Sequence, residues 1–331
     1  VSMVPIAFIN SNIIMKNSLF SRLFAVILLS VAAFLPSYAQ SPTEWKQMKS
    51  DVNLFWVNDM GRNGYYDQKT IAEKMGAMGE TIGIEGIIAV GDIHHFNGVE
   101  SVNDPLWRTN YEDIYSHPEL MCFWYPLLGN HEYRGNTQAV LDYAKVSRRW
   151  NMPSRYYSKV FEGNGTTLRI VFIDTTPLMD CYRNDSTTYP DAHKQNRERQ
   201  LAWIDSTLTA AHEDWVICVG HHPIYAQTPK KDVERADMQK YLLPVLKKHK
   251  NVAVYGCGHI HNFQYIRKPD TDIAFWVNSA AALSRKVSPT DGTQWCSPST
   301  GFTVIAASKK NLSLYAVDKD GKTLYTLTKN K

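Results

Sequence analysis

Short apolar runs recur along this chain, and they are continuous rather than alternating. The runs at Val52–Val57, Gly86–Val90, 122–128, 168–173, 215–219 and 252–255 each read as a strand buried on both faces, since a strand with one wet face alternates apolar and polar positions. Helical spacing appears between them. Ile71, Met75 and Met78 share one face, as do Leu201, Ile204 and Leu208. A third helical pattern around Leu242, Val245 and Leu246 contains Pro244, which predicts a kink or a helix start there. Near the C-terminus, apolar stretches at 312–317 and 323–328 flank Asp320-Gly321, a hairpin signal. Strands alternating with helices, then a terminal hairpin, predict an α/β sandwich with mixed sheets.

The first 39 residues follow another pattern. Lys16 and Arg22 precede an apolar run at 23–35, then come Pro36 and the small-residue sequence Ser37-Tyr38-Ala39. That layout predicts a secretory signal peptide cleaved near Ala39, with Met15 as the expected start. The run is short of the ~20 residues a stable membrane anchor needs. The expected product is secreted or periplasmic, with one domain over residues 40–331.

Composition narrows the reading little. The chain has 331 residues, 44% hydrophobic and 21% charged, with a formal charge of +4 and no basic block, so nothing marks it as a nucleic-acid binder. Five cysteines leave at least one thiol unpaired. Cys122, Cys218 and Cys257 fall in or beside strand runs. Cys181 and Cys296 fall in loop-like sequence and are the better candidates for a disulfide.

Five polar motifs follow the apolar runs: Asp59-Met60-Gly61, Gly91-Asp92-Ile93-His94-His95, Gly129-Asn130-His131-Glu132, Gly220-His221-His222-Pro223 and Gly258-His259-Ile260-His261. In α/β sheets ligands gather at the carboxyl ends of strands, where all five motifs fall. Each alone is weak, because Gly-Asp is a common turn and His-x-His is commonly structural. Together they supply two carboxylates, one amide oxygen and several imidazoles. Asp92 is the candidate bridge between two cations, Asp59 a second carboxylate, Asn130 a neutral oxygen donor, and His221, His259 and His261 imidazole donors. Alternate residues of an extended segment point the same way, so His259 and His261 can share one target.

This motif set resembles the calcineurin-like metallophosphoesterases, and within them the purple acid phosphatases, above all the small tartrate-resistant type. The likeness extends through 128–157, 199–225 and 257–264 and covers nearly all of the chain after residue 40. The resemblance implies a four-layer sandwich of two mixed β-sheets flanked by helices. It implies a first metal on Asp59, Asp92, His261 and the residue three after Asp92, and a second on Asp92, Asn130, His221 and His259. His131 matches the family's phosphate-contacting histidine, and Asn130 also falls in the substrate-binding position.

One position departs from the purple pattern. Three residues after Asp92, where purple enzymes carry a metal-binding tyrosine, this chain has His95. Other members take a histidine from Asp-x-His in the first motif, where this chain has Gly61. His95 is therefore expected to supply the missing imidazole, with His94 as its rival. Imidazole suits zinc, manganese or iron and stabilises ferric iron less than phenolate does. The expected activity is hydrolysis of small phosphate monoesters by a metal-bound hydroxide. His131 is expected to stabilise charge and His222 to donate a proton to the leaving group, with Glu132 either orienting His131 or acting as an ordinary loop acid. The rivals are a phosphodiesterase or nucleotidase on the same metals, a phosphoprotein phosphatase, or a silent binding protein. Loops at 98–107, 176–192 and 228–237 are expected to shape the pocket.

Overall fold

The computed structural model describes residues 43–229 and 232–331, so the expected signal peptide lies outside the described residues. In chain order the strands are β1 (Val52–Val57), β2 (Gly86–Val90), β3 (Trp124–Leu127), β4 (Tyr157–Gly163), β5 (Thr166–Ile173), β6 (Trp215–Gly220) and β7 (Val252–Cys257). Then come β8 (Phe263–Ile266), β9 (Ala274–Val277), β10 (Thr293–Ser297), β11 (Gly301–Ala307), β12 (Asn311–Asp318) and β13 (Thr323–Asn330). They form two mixed sheets, one in the order β13-β12-β11-β1-β2-β3 and one in the order β10-β8-β9-β7-β6-β5-β4.

Every residue of β1, β2, β3, β6 and β7 is buried, as continuous apolar runs require. β1, β2 and β3 run parallel in the first sheet, and β5, β6, β7 and β9 run parallel in the second. The sheets meet through side chains. Trp56 of β1 lies so close to Gly256 of β7 that a Cβ there would sit 2.0 Å from the indole. Trp276 of β9 donates to the Thr303 hydroxyl of β11 at 3.0 Å. Asn278 donates to Trp56 O at 3.1 Å and to Asn58 Oδ1 at 2.7 Å, which ties the sheets together beneath the first motif.

The helices follow their patterns. Ile71, Met75 and Met78 are buried along Gln68–Ile82, and Ile204 and Leu208 along Arg197–Thr209. Around Pro244 the chain breaks into two helices, Val233–Tyr241 and Leu243–Lys247, with the proline in the first turn of the second, where its missing N–H costs nothing. The strand expected at 122–128 is trimmed at both ends. All five cysteines are free thiols, so the bridge expected between Cys181 and Cys296 does not form. Cys181 sits in the short helix Asp180–Arg183 and Cys296 on the edge strand β10.

Candidate metal centre

Asp59, Asp92 and Asn130 follow β1, β2 and β3, while His221 and His259 follow β6 and β7. The first sheet therefore carries the oxygen donors and His95, and the second the remaining imidazoles. The turns that aim them are unusual. Asp59, Asp92, His259 and His261 all have left-handed backbone, with φ of 51°, 53°, 69° and 63°. Such conformations cost an L-residue about 1–2 kcal/mol each and persist where the surroundings fix them. Gly91 precedes Asp92 at φ 82°, and a Cβ there would lie 2.5 Å from His221 Nδ1.

Asp92 is the hub. Its Oδ1 accepts from His131 N at 3.0 Å, and its Oδ2 lies 3.1 Å from His221 Nε2, 3.6 Å from His95 Nε2 and 3.8 Å from His131 Nε2. Asp59 Oδ2 accepts from Asn58 Nδ2 and from His259 N, both at 2.7 Å, which leaves Oδ1 aimed at His261 Nε2, 3.1 Å away. His261 Nδ1 donates to Leu283 O at 2.8 Å and His221 Nδ1 to Val90 O at 2.9 Å. These outer bonds turn each Nε2 inward, the arrangement that orients metal-binding imidazoles. In both pairs Nε2 faces a carboxylate oxygen at 3.1 Å, a distance that needs a proton or a cation between them. Asp59, His95 and His261 converge on one point, as do Asp59, Asp92 and His221.

The donor atoms fit a pair of cations. Asp59 Oδ1, Asn130 Oδ1 and both ring nitrogens of His95 are buried with no hydrogen-bond partner. Orphaned buried polar atoms are costly, and these four belong to three of the residues expected to hold metal. Charge agrees with this picture. Burial opposes ionisation of Asp59 and Asp92, but the neighbouring imidazoles, led by His261 and His221 respectively, hold both well below the usual carboxylate range. Burial likewise disfavours charge on His221, yet Asp92 and Asp59 raise it to about 9. Burial lowers His95 well below its ordinary value, which keeps it neutral and able to bind.

The two neighbouring histidines point different ways. His95 faces Asp92, while His94 turns into the core, edge-on to Trp107 at 4.4 Å and beside Asn110. A Cβ on Gly61 would lie 2.2 Å from Ile93 O, so no histidine fits at that position in this backbone.

Two residues beside the centre face other groups than His131 or the cavity. Glu132 does not hold the His131 ring. Its carboxylate accepts from Asp92 N, His94 N and Gly129 N at 2.9, 3.0 and 2.7 Å and so clamps the loops after β2 and β3 to each other. Burial and the Asp92 charge raise it to about 7. His222 is fully buried, with Nδ1 2.8 Å from Thr175 Oγ1 and Nε2 3.0 Å from Tyr182 OH, so its ring nitrogens face those hydroxyls rather than the cavity.

Two residues escaped the sequence reading. Glu234 Oε2 lies 3.1 Å from His259 Nε2, while His259 Nδ1 lies 3.2 Å from His221 Nε2, so the carboxylate aims the imidazole from behind. Tyr182 donates to Glu234 Oε1 at 2.7 Å. Neither sits in a motif, and only their placement in the expected pocket loops pointed toward them. A cavity of about 490 Å³ beside the centre is lined by residues of the 176–192 and 228–237 loops, as expected, whereas the 98–107 loop lines none of the cavities described.

The calcineurin-like phosphoesterase family model matches residues 52–263. The chain belongs to this family. Among curated relatives, the tartrate-resistant acid phosphatase type 5 of Sus scrofa is 35% identical over 57% of this chain and 56% of its own length. Purple acid phosphatase 4 of Arabidopsis thaliana is 28% identical over 92% of this chain and 91% of its own. Among solved structures, GAP50, described as the anchor in the inner membrane complex of Plasmodium, superposes with a TM-score of 0.73 at 25% identity, covering 85% of this chain and 89% of that one. A purple acid phosphatase from yellow lupin shares the fold with a TM-score of 0.60 at 14% identity, covering 86% and 54%. The two mixed sheets with flanking helices are the fold of these family members.

Proposed function

We propose that this protein is a dinuclear-metal phosphomonoesterase of the acid phosphatase type, acting on small phosphate esters outside the cytoplasm. The observation that carries it is the set of buried, unpartnered donor atoms on Asp59, His95 and Asn130, gathered with Asp92, His221, His259 and His261. Asp59, Asp92, His95 and His261 would hold one cation and Asp92, Asn130, His221 and His259 the other. Iron, zinc and manganese all suit these donors. When bound, two such cations make a nucleophile of water near neutral pH and draw charge from the phosphoryl oxygens. The near likeness to a protein described as an anchor favours a silent role. The full donor set here argues against that role.

His131 stands at the cavity with its Nδ1 2.5 Å from Phe96 O, so Nδ1 carries a proton and donates it there. Its Nε2 therefore reaches a phosphoryl oxygen as a donor only when the ring is imidazolium. Burial lowers its pKa, and an arriving phosphate dianion favours the proton. Asn130 lines the same cavity and can share the phosphate. A proton from His222 would pass through the Tyr182 hydroxyl to Glu234, which lines the cavity. His222→Ala should then slow alkyl phosphates more than aryl phosphates, and equal losses would remove the role.

The test of the whole reading is metal analysis followed by a phosphate-release screen over monoesters, diesters and nucleotides. Two cations per chain with turnover of monoesters is the expected result. Metal-free protein, or turnover of diesters alone, overturns it.

A further inference from the structure

A run of buried hydrogen bonds starts on the second sheet, crosses to the first and ends on Asp59. The indole N–H of Trp276 on β9 donates to Thr303 Oγ1 on β11 at 3.0 Å. Thr303 passes its own proton to Asn278 Oδ1 at 2.8 Å. Asn278 Nδ2 donates to Asn58 Oδ1, and Asn58 Nδ2 donates to Asp59 Oδ2, both at 2.7 Å. All five side chains are fully buried, so water competes for none of these links.

The run has one direction. An indole N–H can only donate, an ionised carboxylate can only accept, and a threonine hydroxyl has one proton to give. With Trp276 donating to Thr303, that proton points on to Asn278, which fixes the end of the amide that Asn278 turns toward Asn58. Asn58 is also held by its own surroundings. Its second amide proton lies between Ser279 O at 3.1 Å and Asn278 O at 3.3 Å. A reversed Asn58 amide would set its oxygen against two carbonyls and a carboxylate. Gly258 permits this crowding, because a Cβ there would lie 2.6 Å from Asn58 Nδ2 and 2.7 Å from Asp59 Oδ2. Hydrogen bonds aligned head to tail away from water polarise one another, so the last link gains from those before it.

The effect falls on Asp59. Its Oδ2 takes two bonds, from Asn58 Nδ2 and from His259 N, while its Oδ1 is buried with no hydrogen-bond partner. Turning the carboxylate would break both bonds at Oδ2. The group that converges with Asp59 consists of His95 and His261, and none of the four residues upstream in the run belongs to it.

We infer that Asn58, Asn278 and Thr303 are positioning residues for the first cation, which reserve Asp59 Oδ1 for it and hold that oxygen where His95 and His261 meet. This rests on the dinuclear reading above. Affinity at that half of the centre is thereby set from β11, a strand that carries no proposed metal ligand.

The experiment titrates zinc against a competing chelator in the full chain, comparing wild type with Thr303→Val, Thr303→Ser and Asn58→Ala. Thr303→Val keeps the shape of the side chain and removes the proton that Asn278 receives. It should weaken the more loosely held zinc by ~10-fold and leave the other unchanged, and Asn58→Ala should do the same by ~10–100-fold, the range for partners of metal-binding groups. Thr303→Ser restores the hydroxyl without the methyl group. It should recover the wild-type zinc affinity even though the metal-free protein melts lower, a separation that a purely structural role would not give. Unchanged affinity in Thr303→Val, equal weakening of both zinc ions, or no recovery in Thr303→Ser overturns the inference and leaves the dinuclear reading intact. Wild type that binds no zinc overturns that reading and this inference together. Should the valine and alanine variants fail to fold, nitrogen-15 spectra of the wild type decide. Zinc should shift the Asn58 side-chain amide signals, and signals that do not move overturn the inference.

Discussion

The two halves of the proposed metal centre share Asp92 but are braced differently. On one side His261 is oriented by the neutral Leu283 carbonyl, and His95 has no hydrogen bond on either ring nitrogen. On the other, His221 is set by Val90 O, and His259 is backed by the Glu234 carboxylate. An anionic partner makes an imidazole a better donor than a neutral one does. The difference teaches that equal counts of donors need not give equal sites. The Glu234 side should hold its cation more tightly, and the His95 side should exchange first under a chelator.

Substitutions can break this asymmetry. The largest effect belongs to Asp92→Asn, which strikes both halves. Metal content should fall at both, and activity should drop by more than the ~10–100-fold of an outer-bond change. Retention of two tightly held cations would contradict the bridging assignment. His95→Ala should empty one half only, leaving about one cation per chain by elemental analysis. His95→Tyr should restore a phenolate, so that the iron-loaded variant gains a visible charge-transfer band that the parent lacks. A strong band in the parent would refute this account of His95. Glu234→Gln should weaken only the second cation, by ~10–100-fold in a competition titration.

The smallest effect at the centre is also the cleanest control. Burial holds His94 at about 3, below the ~6.5 of an unfolded histidine. As pH falls below 6.5 the unfolded chain takes up a proton that the folded chain refuses, so stability declines. From pH 7 to 5 this amounts to about 2 kcal/mol. His94→Phe, packed against Trp107, should remove that share of the slope in denaturant titrations and leave metal content alone. An unaltered slope would show that His94 is not the group responsible.

Legibility in the sequence followed the kind of contact involved. Strands buried on both faces announce themselves, so β1, β2, β6 and β7 begin where the apolar runs begin. β4 and β10 were not visible, because both are edge strands with partly wet, mixed faces. β11 is wholly buried and central, yet nothing local reveals that it pairs with β1, far away in the chain. The proposed metal donors were legible because each sits in a strand-end motif. Glu234 and Tyr182 were not. A lone acid on a helix and a lone tyrosine on a short helix gain meaning only from what lies across space, and Glu132 shows how a residue inside a motif can serve the backbone instead of the chemistry.

The place of β11 has a further consequence. It completes the flank of the strand that presents Asp59, but it is made after His261, the last donor in the chain. During synthesis every donor emerges before the centre can be assembled. Loss of the C-terminal strands should therefore abolish metal uptake although no donor resides there, and metal uptake should serve as a late marker of folding.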